Sequence, residues 1–182
     1  MRAADILLDH YDRLTGSSAT YRNVAPDDAV DDMIVAIYRG YPVEGAVTGF
    51  TIGLSHLHLP GGQHNELTVS MRDVDDVWVH AMGVVAYRLR NECLFQPGDT
   101  IDFGAPIRTG SALRAFVVAP PMHFGPQGAV IDLGIRRVNL VALVPIHAQE
   151  RQWLAADGTL DALLDGRPRE LLLNPTRGPL LR

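Results

Sequence analysis

The stretch Tyr87-Arg-Leu-Arg-Asn-Glu-Cys-Leu-Phe-Gln-Pro-Gly-Asp99 joins the end of a predicted helix to a tight turn, and two strand-like runs follow it. The first run covers residues 113–119. The second, Val138-Asn-Leu-Val-Ala-Leu-Val-Pro145, is almost uninterrupted apolar sequence, which is typical of a strand covered on both faces. We therefore expect residues 87–145 to form the structural centre of the molecule, with the other elements packed around it.

Outside this centre, hydrophobic periodicity predicts further helices and strands. An amphipathic helix is predicted over 1–15, and the longest helix begins near Asp76, where the carboxylate of Asp75 or Asp76 can cap the first turn. We expect 17–28 to be a loop and 174–182 to be a surface tail. The remaining predicted elements are strands at 33–39, 50–55, 67–71, 100–103 and 130–135 and helical pieces at 150–154 and 160–164.

This order of elements predicts an α+β fold in which a mostly antiparallel, mixed sheet is packed with helices. The sequence contains no internal repeat, low-complexity stretch or linker, so we expect one domain over residues 1–182. The strands at 50–55 and 67–71 are expected to pair as an antiparallel hairpin with a long tip.

Composition narrows the class of function. The chain has 182 residues and a formal net charge of −5, and this charge argues against nucleic acid as a partner. No apolar run is long enough to span a membrane, and no basic leader precedes an apolar segment, so we expect a cytoplasmic protein without a membrane partner. Cys93 is the only cysteine, which excludes an internal disulfide. No glycine-rich phosphate loop follows a strand, and no cofactor is expected.

Three histidines carry the sharpest enzyme-like hypothesis. His56 and His58 are two residues apart, so on a strand they would point to the same face, and His64 could complete a three-nitrogen metal site. The alternative is a pair of solvent-facing histidines near a hairpin tip. No carboxylate stands at a spacing that indicates a metal, so we expect neither a metal nor catalysis, and a metal-dependent hydrolase remains the weaker hypothesis.

Acidic residues cluster at two places, which are Asp27, Asp28, Asp31 and Asp32, and then Asp73, Asp75 and Asp76. Such runs usually serve as solvated caps and turns. The sharper hypothesis is an electronegative face that steers a basic protein partner, because complementary charge speeds encounter. Asp99 and Asp102 extend the same sign of charge.

The order and spacing of several short motifs resemble the Suppressor of fused domain over about residues 30–173. The first half of the resemblance is carried by Phe50-x-Ile-Gly-Leu-Ser55, Glu66-Leu-Thr68, Trp78, Ala86-Tyr87, Pro97-Gly98-Asp99, Pro106-Ile107 and Ser111. The second half is carried by Gly128, Val138-Asn-Leu-Val-Ala-Leu-Val144, Ile146, Glu150, Trp153, Gly158 and Leu163-Leu164.

This resemblance implies a binding fold without catalysis. In animals, a two-domain relative restrains a transcription factor by clamping a short peptide of it, and bacterial single-domain members are commonly immunity proteins of polymorphic toxin systems. The short chain and its composition resemble the second group, so we expect a protein that neutralises a cognate bacterial toxin. A regulator of an endogenous partner is the alternative within the same class.

The resemblance also implies site residues. The partner-facing tyrosine of the family falls on Tyr87, and the aspartate after the turn falls on Asp99. A glutamate that the family uses on the neighbouring strand end would fall near Ala119-Pro120, where this sequence has no acid. The alternatives are a half-buried aromatic at Tyr87 and a turn residue bonded to its own backbone at Asp99. The expected partner-binding residues are Tyr87, Asp99, Asp102, Asp73, Asp75 and Asp76.

Overall fold

The computed structural model describes residues 2–24, 33–56, 62, 64–156 and 158–181, and these form one domain with an eight-stranded sheet and four α-helices. The helices are α1 (Ala3–Thr15), α2 (Val77–Leu89), α3 (Ala148–Ala155) and α4 (Leu160–Leu164). The strands are β1 (Thr20–Asn23), β2 (Ile34–Arg39), β3 (Ala46–Ile52), β4 (Asn65–Arg72), β5 (Thr100–Asp102), β6 (Ala115–Ala119), β7 (Val130–Asp132) and β8 (Arg137–Ile146). The predicted α+β class is confirmed.

The sheet is antiparallel except at one seam. Its strand order is β1-β2-β3-β4-β8-β6-β5, and β7 also pairs with β8. Residues 65–68 of β4 pair in parallel with residues 139–142 of β8, whereas β6 and β7 pair antiparallel with β8 along its other side. Residues 140–146 are all buried, which confirms the prediction that this strand is covered on both faces.

Helix α2 covers one face of the sheet at close range. Glycines permit this approach, since a Cβ at Gly49 of β3 would overlap the side chain of Val79, and a Cβ at Gly83 would overlap Val24. The segment after β5 lies on the same face, where Phe103 contacts Phe116 edge to face. Trp78, Met82, Val85, Leu67, Val69, Phe95 and Leu143 belong to this apolar cluster.

Two separate clusters cover the opposite face. Helix α1 packs over β2 and β3, where Tyr11 stacks on Phe50 with ring centroids 4.2 Å apart. Helices α3 and α4 and the segment 169–181 pack over β6 and the end of β8. The sheet is therefore a central layer between helices.

Two local predictions in the first half of the chain were wrong. Residues 20–23 form the edge strand β1 rather than a loop; all four are exposed, so they show no hydrophobic alternation. Strand β3 ends at Ile52, and residues 54–56 form a 3-10 turn instead of continuing the predicted strand. The predicted pairing of β3 with β4 is confirmed.

The predicted surface tail was also wrong, because residues 174–181 are fastened to the domain. The carboxylate of Glu150 accepts hydrogen bonds from both Nη atoms of Arg177, at 2.6 and 2.7 Å. Both side chains are buried, and Leu180 enters the apolar cluster beneath α3 and α4. The hydroxyl of Ser111 also donates to the carbonyl of Pro175. We refer to the Glu150–Arg177 pair as the C-terminal clasp.

Candidate partner-binding surface

The turn at residues 96–99 lies at the centre of the predicted site. Its backbone extends the pairing of β5 with β6, because Gly98 N–H donates to the carbonyl of Val118 and Val118 N–H donates to that of Asp99. Just before the turn, Phe95 is fully buried yet has a φ of 50°. A bulky residue in the left-handed region costs about 1–3 kcal/mol and persists only where its surroundings hold it. The sequence offered no signal of this strain.

The carboxylate of Asp99 closes the turn. Its Oδ2 accepts a hydrogen bond from the backbone N–H of Gln96 at 2.8 Å, and the thiol of Cys93 lies 3.9 Å from the same atom. Burial, together with the negative charge of Asp99, raises the pKa of Cys93 and keeps the thiol protonated. Asp99 thus has a local structural role in the described structure, and its role in binding stays a prediction.

Tyr87 occupies the last turn of α2 and is half-buried against the apolar cluster. The guanidinium of Arg90 lies 4.0 Å from the centre of its ring and also donates to its backbone carbonyl. This cation–π contact covers part of the ring. Tyr87 therefore lies at the end of α2 that leads into the turn at residues 96–99, and its role in binding stays a prediction.

Asp102 lies on the edge strand β5 and is paired with two arginines. Its Oδ1 lies 3.3 Å from Nε of Arg114, and its Oδ2 lies 3.5 Å from Nη1 of Arg151 on α3. The backbone N–H of Gly104 also donates to the carboxylate, and this bond, followed by the two arginines, lowers the pKa of Asp102. Sequence spacing alone could not reveal Arg151 as a partner, since the sheet brings α3 to this strand.

Asp73 is a buried acid rather than a surface one. Its side chain is 1% exposed, and its Oδ2 accepts a hydrogen bond from the indole of Trp78 at 2.9 Å and pairs with Arg108 at 3.0 Å. These contacts hold the beginning of α2 against the segment after β5. The carboxylate of Asp73 is therefore not available to steer a partner in this structure.

The other two acids of this cluster remain near the surface. Asp75 is exposed, whereas Asp76 pairs with Arg22 of β1 at 2.9 Å. They precede α2, while Tyr87 lies in its last turn, so the thirteen-residue helix separates them by about 20 Å. Asp75 and Asp76 thus lie at the beginning of α2, whereas Tyr87 lies in its last turn and Asp99 and Asp102 belong to the segment that follows the helix. Asp27, Asp28, Asp31 and Asp32 lie outside the described residues.

Three surface clefts border residues 95–103. One of about 540 Å³ lies beside β8, and one of about 300 Å³ lies between β6 and the C-terminal helices; the third, of about 230 Å³, lies between α2 and β5. Pro97, Pro120 and Pro121 line both larger clefts and form the wall between them. This wall could not be predicted from the sequence, in which Pro120-Pro121 directly follow the strand predicted over 113–119.

The histidine hypothesis is not favoured by the geometry. His56 lies in a 3-10 turn instead of on a strand, so the same-face argument fails, and His58 lies outside the described residues. Burial, together with the nearby positive charge of Arg136, lowers the pKa of His56, and this charge would also oppose a bound cation. Within the described ranges, no three histidine, cysteine or acidic side chains converge on a possible metal position.

The sheet, its helices on both faces and the cleft-bordered corner define an α+β domain with a concave surface at one sheet edge. The model of the family described as Suppressor of fused protein matches residues 30–177. The chain therefore belongs to the Suppressor of fused family. No match was found among curated proteins. In the part of the chain that the structure describes, no helix has the length and apolar character needed to cross a membrane.

Solved structures share this fold at low sequence identity. A Suppressor of fused homologue from Neisseria gonorrhoeae superposes with a TM-score of 0.76 at 16% identity, over 99% of this chain and 97% of that chain. The Sufu–Fu complex structure gives a TM-score of 0.70 at 17% identity, over 98% and 92%. Drosophila Suppressor of Fused gives 0.59 at 16% identity, over 96% of this chain and 50% of that chain.

Proposed function

We propose that this chain is a non-catalytic protein-binding domain of the cytoplasm, and that it acts as an immunity protein that neutralises a cognate bacterial toxin. The observation that carries the proposal is the corner at residues 95–103. There, two clefts border the turn at residues 96–99, a third borders β5 directly after it, and the strained, buried Phe95 directly precedes the turn. Strain of this kind concentrates at functional sites, and concave apolar surfaces with a few polar groups are where ligands bind.

Family membership supports a binding role. The fold is shared with a solved Sufu–Fu complex, whose name describes an assembly of two proteins. In the proposed complex, Tyr87 and Asp99 contact the partner directly, and Asp102 supports the edge strand beside them.

The partner is proposed to be basic overall. The chain carries a net charge of −5, and Asp75 is exposed at the beginning of α2. Charge of this kind acts on the association rate more than on the final contacts. Asp75 and Asp76 are thus proposed as steering residues, and the buried Asp73 is assigned to the stability of the domain.

Co-expression with the toxin domain encoded beside this gene tests the proposal. We expect growth to be rescued and the two proteins to co-purify as a complex. Toxicity that persists in the presence of well-folded protein, together with the absence of a complex, would refute the immunity role. A complex with an endogenous protein instead of a toxin would support the regulatory alternative.

Charge reversal at the corner tests the site. Asp99→Arg is expected to weaken the complex at least tenfold, or about 1.4 kcal/mol. Asp132→Arg is the control, because Asp132, the exposed last residue of β7, likewise accepts a local backbone hydrogen bond, here from Gly134 at 2.8 Å. Equal affinities for both variants, with folding intact, would leave Asp99 with a role in the turn alone.

A further inference from the structure

The smallest of the three clefts has a composition that indicates what it binds. It lies between the last two turns of α2 and strand β5, and its apolar wall is formed by Val84, Leu89, Ile101 and Phe103. Its volume of about 230 Å³ is below the ~300–1,000 Å³ of pockets for drug-sized ligands, so it suits one side chain of a partner.

Two charged residues line this cleft, and only one of them has its charge balanced by an ion pair in the described structure. Arg88 lines it, is exposed, and forms no ion pair with the residues that the structure describes. Asp102 also lines it, but its carboxylate is paired with Arg114 and with Arg151 of α3. The alternation of side chains along β5 explains this division, because neighbours on a strand face opposite sides of the sheet. Ile101 packs on the α2 side, whereas Asp102 meets α3, which packs on the other side.

The sum of these charges is positive. Two arginines pair with Asp102, and the other charged residue that lines the cleft, Arg88, has no ion-pair partner among the described residues. A guanidinium presents several donors in a planar fork that matches a carboxylate. A basic group in this cleft would instead meet Arg88 at close range, and like-charge juxtaposition costs affinity.

We propose that the α2–β5 cleft binds a partner segment in which an apolar side chain is adjacent to a carboxylate, with Arg88 as the residue that recognises the carboxylate. This inference rests on the proposed binding function and names the local chemistry of the partner. The partner as a whole is proposed to be basic and to be steered by Asp75 at the other end of α2, whereas this cleft recognises an acidic group of the bound segment. The two ends of one helix thus select opposite charges.

Two synthetic probes test this cleft without the toxin. The first is a short capped peptide with a central phenylalanine between two glutamates, and the second has lysines in place of the glutamates. Binding is followed by NMR titration of the methyl groups of Val84, Leu89 and Ile101. We expect the acidic peptide to shift these methyl signals and to bind at least tenfold more tightly than the basic peptide.

Reversal of one charge then isolates Arg88. Arg88→Glu is expected to reverse the preference, so that the basic peptide binds more tightly. Arg13→Glu is the matched control, because Arg13 is likewise exposed in the last turn of a helix but lies on α1, on the opposite face of the sheet. This control should keep the preference of the unaltered protein.

Three results would overturn the inference: tighter binding of the basic peptide, no methyl shift with either peptide, or an unchanged preference in Arg88→Glu. These results are independent of the growth-rescue experiment. A failed rescue with a tight acidic peptide would overturn the immunity role and leave the cleft assignment standing. A successful rescue with a preference for the basic peptide would support the immunity role and overturn the cleft assignment.

Discussion

Glu66 and Glu150 are both fully buried carboxylates, and their environments give them opposite properties. Glu66 on β4 accepts hydrogen bonds from the Thr51 hydroxyl and from the N–H groups of Gly53 and Ser55. Burial outweighs these bonds and raises its pKa. Burial also acts on Glu150, but the bidentate bond and positive charge of Arg177 outweigh it and lower its pKa. A cation in contact therefore decides which buried acid is held ionised.

The largest effect is expected from removing the cation of the C-terminal clasp. Arg177→Met leaves Glu150 buried without its partner, and we expect the free energy of unfolding to fall by about 3–5 kcal/mol in denaturant titrations. The double variant Glu150→Met with Arg177→Met should recover most of this loss, because no unpaired charge then remains. A loss below about 1 kcal/mol in the single variant would show that the clasp is not the ionised pair described.

Amide substitution of each acid compares the two sites directly. Glu150→Gln leaves Arg177 as an unpaired buried cation, so we expect a loss of about 3 kcal/mol. Glu66→Gln keeps an oxygen for the N–H groups of Gly53 and Ser55 and offers Thr51 a donor, so we expect a loss of about 1 kcal/mol. Equal losses in the two variants, measured by the same unfolding assay at pH 7, would contradict the contrast.

The pH dependence of stability should differ in sign between the two acids. The folded pKa of Glu150 lies below its unfolded value of about 4.3, so its contribution is complete above that value and is lost as pH falls toward the folded pKa. The folded pKa of Glu66 is raised, so the native state binds more protons than the unfolded state between the two pKa values. The stability that Glu66 contributes thus rises as pH falls through its folded pKa.

Unfolding midpoints between pH 8 and pH 5 measure this difference. We expect the advantage of the unaltered protein over Glu66→Gln to grow as pH falls through the raised folded pKa of Glu66. Its advantage over Glu150→Gln should stay nearly constant there, because the unfolded pKa of a glutamate lies below the range. If the unfolding midpoints of the two variants changed in parallel with pH, the two acids would titrate alike and the contrast would be contradicted.

The smallest effect on stability is expected at Asp75, whose side chain is exposed to solvent. Its carboxylate accepts a hydrogen bond from the N–H of Val77 at 3.3 Å. Asp75→Asn should change the free energy of unfolding by no more than about 0.5 kcal/mol, while slowing association with a basic partner at low salt. Stopped-flow association rates at two salt concentrations check this, and a stability loss as large as that of Glu150→Gln would contradict it.

The sequence predicted the elements whose burial follows a period and missed those whose burial depends on distant partners. Strand β8 and helix α2 were evident because their apolar residues recur at the spacing of a covered strand and a helix. Residues 174–181 show no such period, and they are held by Glu150 and Ser111 from elsewhere in the chain. Long-range pairing of this kind has no signal in one sequence.

The charges of the candidate site depend on contacts that the sequence does not reveal. The resemblance implies that Tyr87 and Asp99 face a partner; the structure places Tyr87 in the last turn of α2 and Asp99 in the turn that follows, and their role in binding stays a prediction. Sequence could not show that Asp73 is buried against Trp78, since neighbouring aspartates look alike until the fold separates them. It also could not show that Asp102 meets Arg151 and leaves Arg88 unpaired among the described residues.

The single parallel seam between β4 and β8 has a consequence for how the chain folds. Residues 65–68 find their parallel partners at residues 139–142, so a long loop must close before the two halves of the sheet can join. Contacts so distant in sequence raise the contact order, which slows folding relative to a hairpin-built sheet of equal stability. The strands before the seam pair locally and can form early, whereas closing the seam is expected to limit the folding rate.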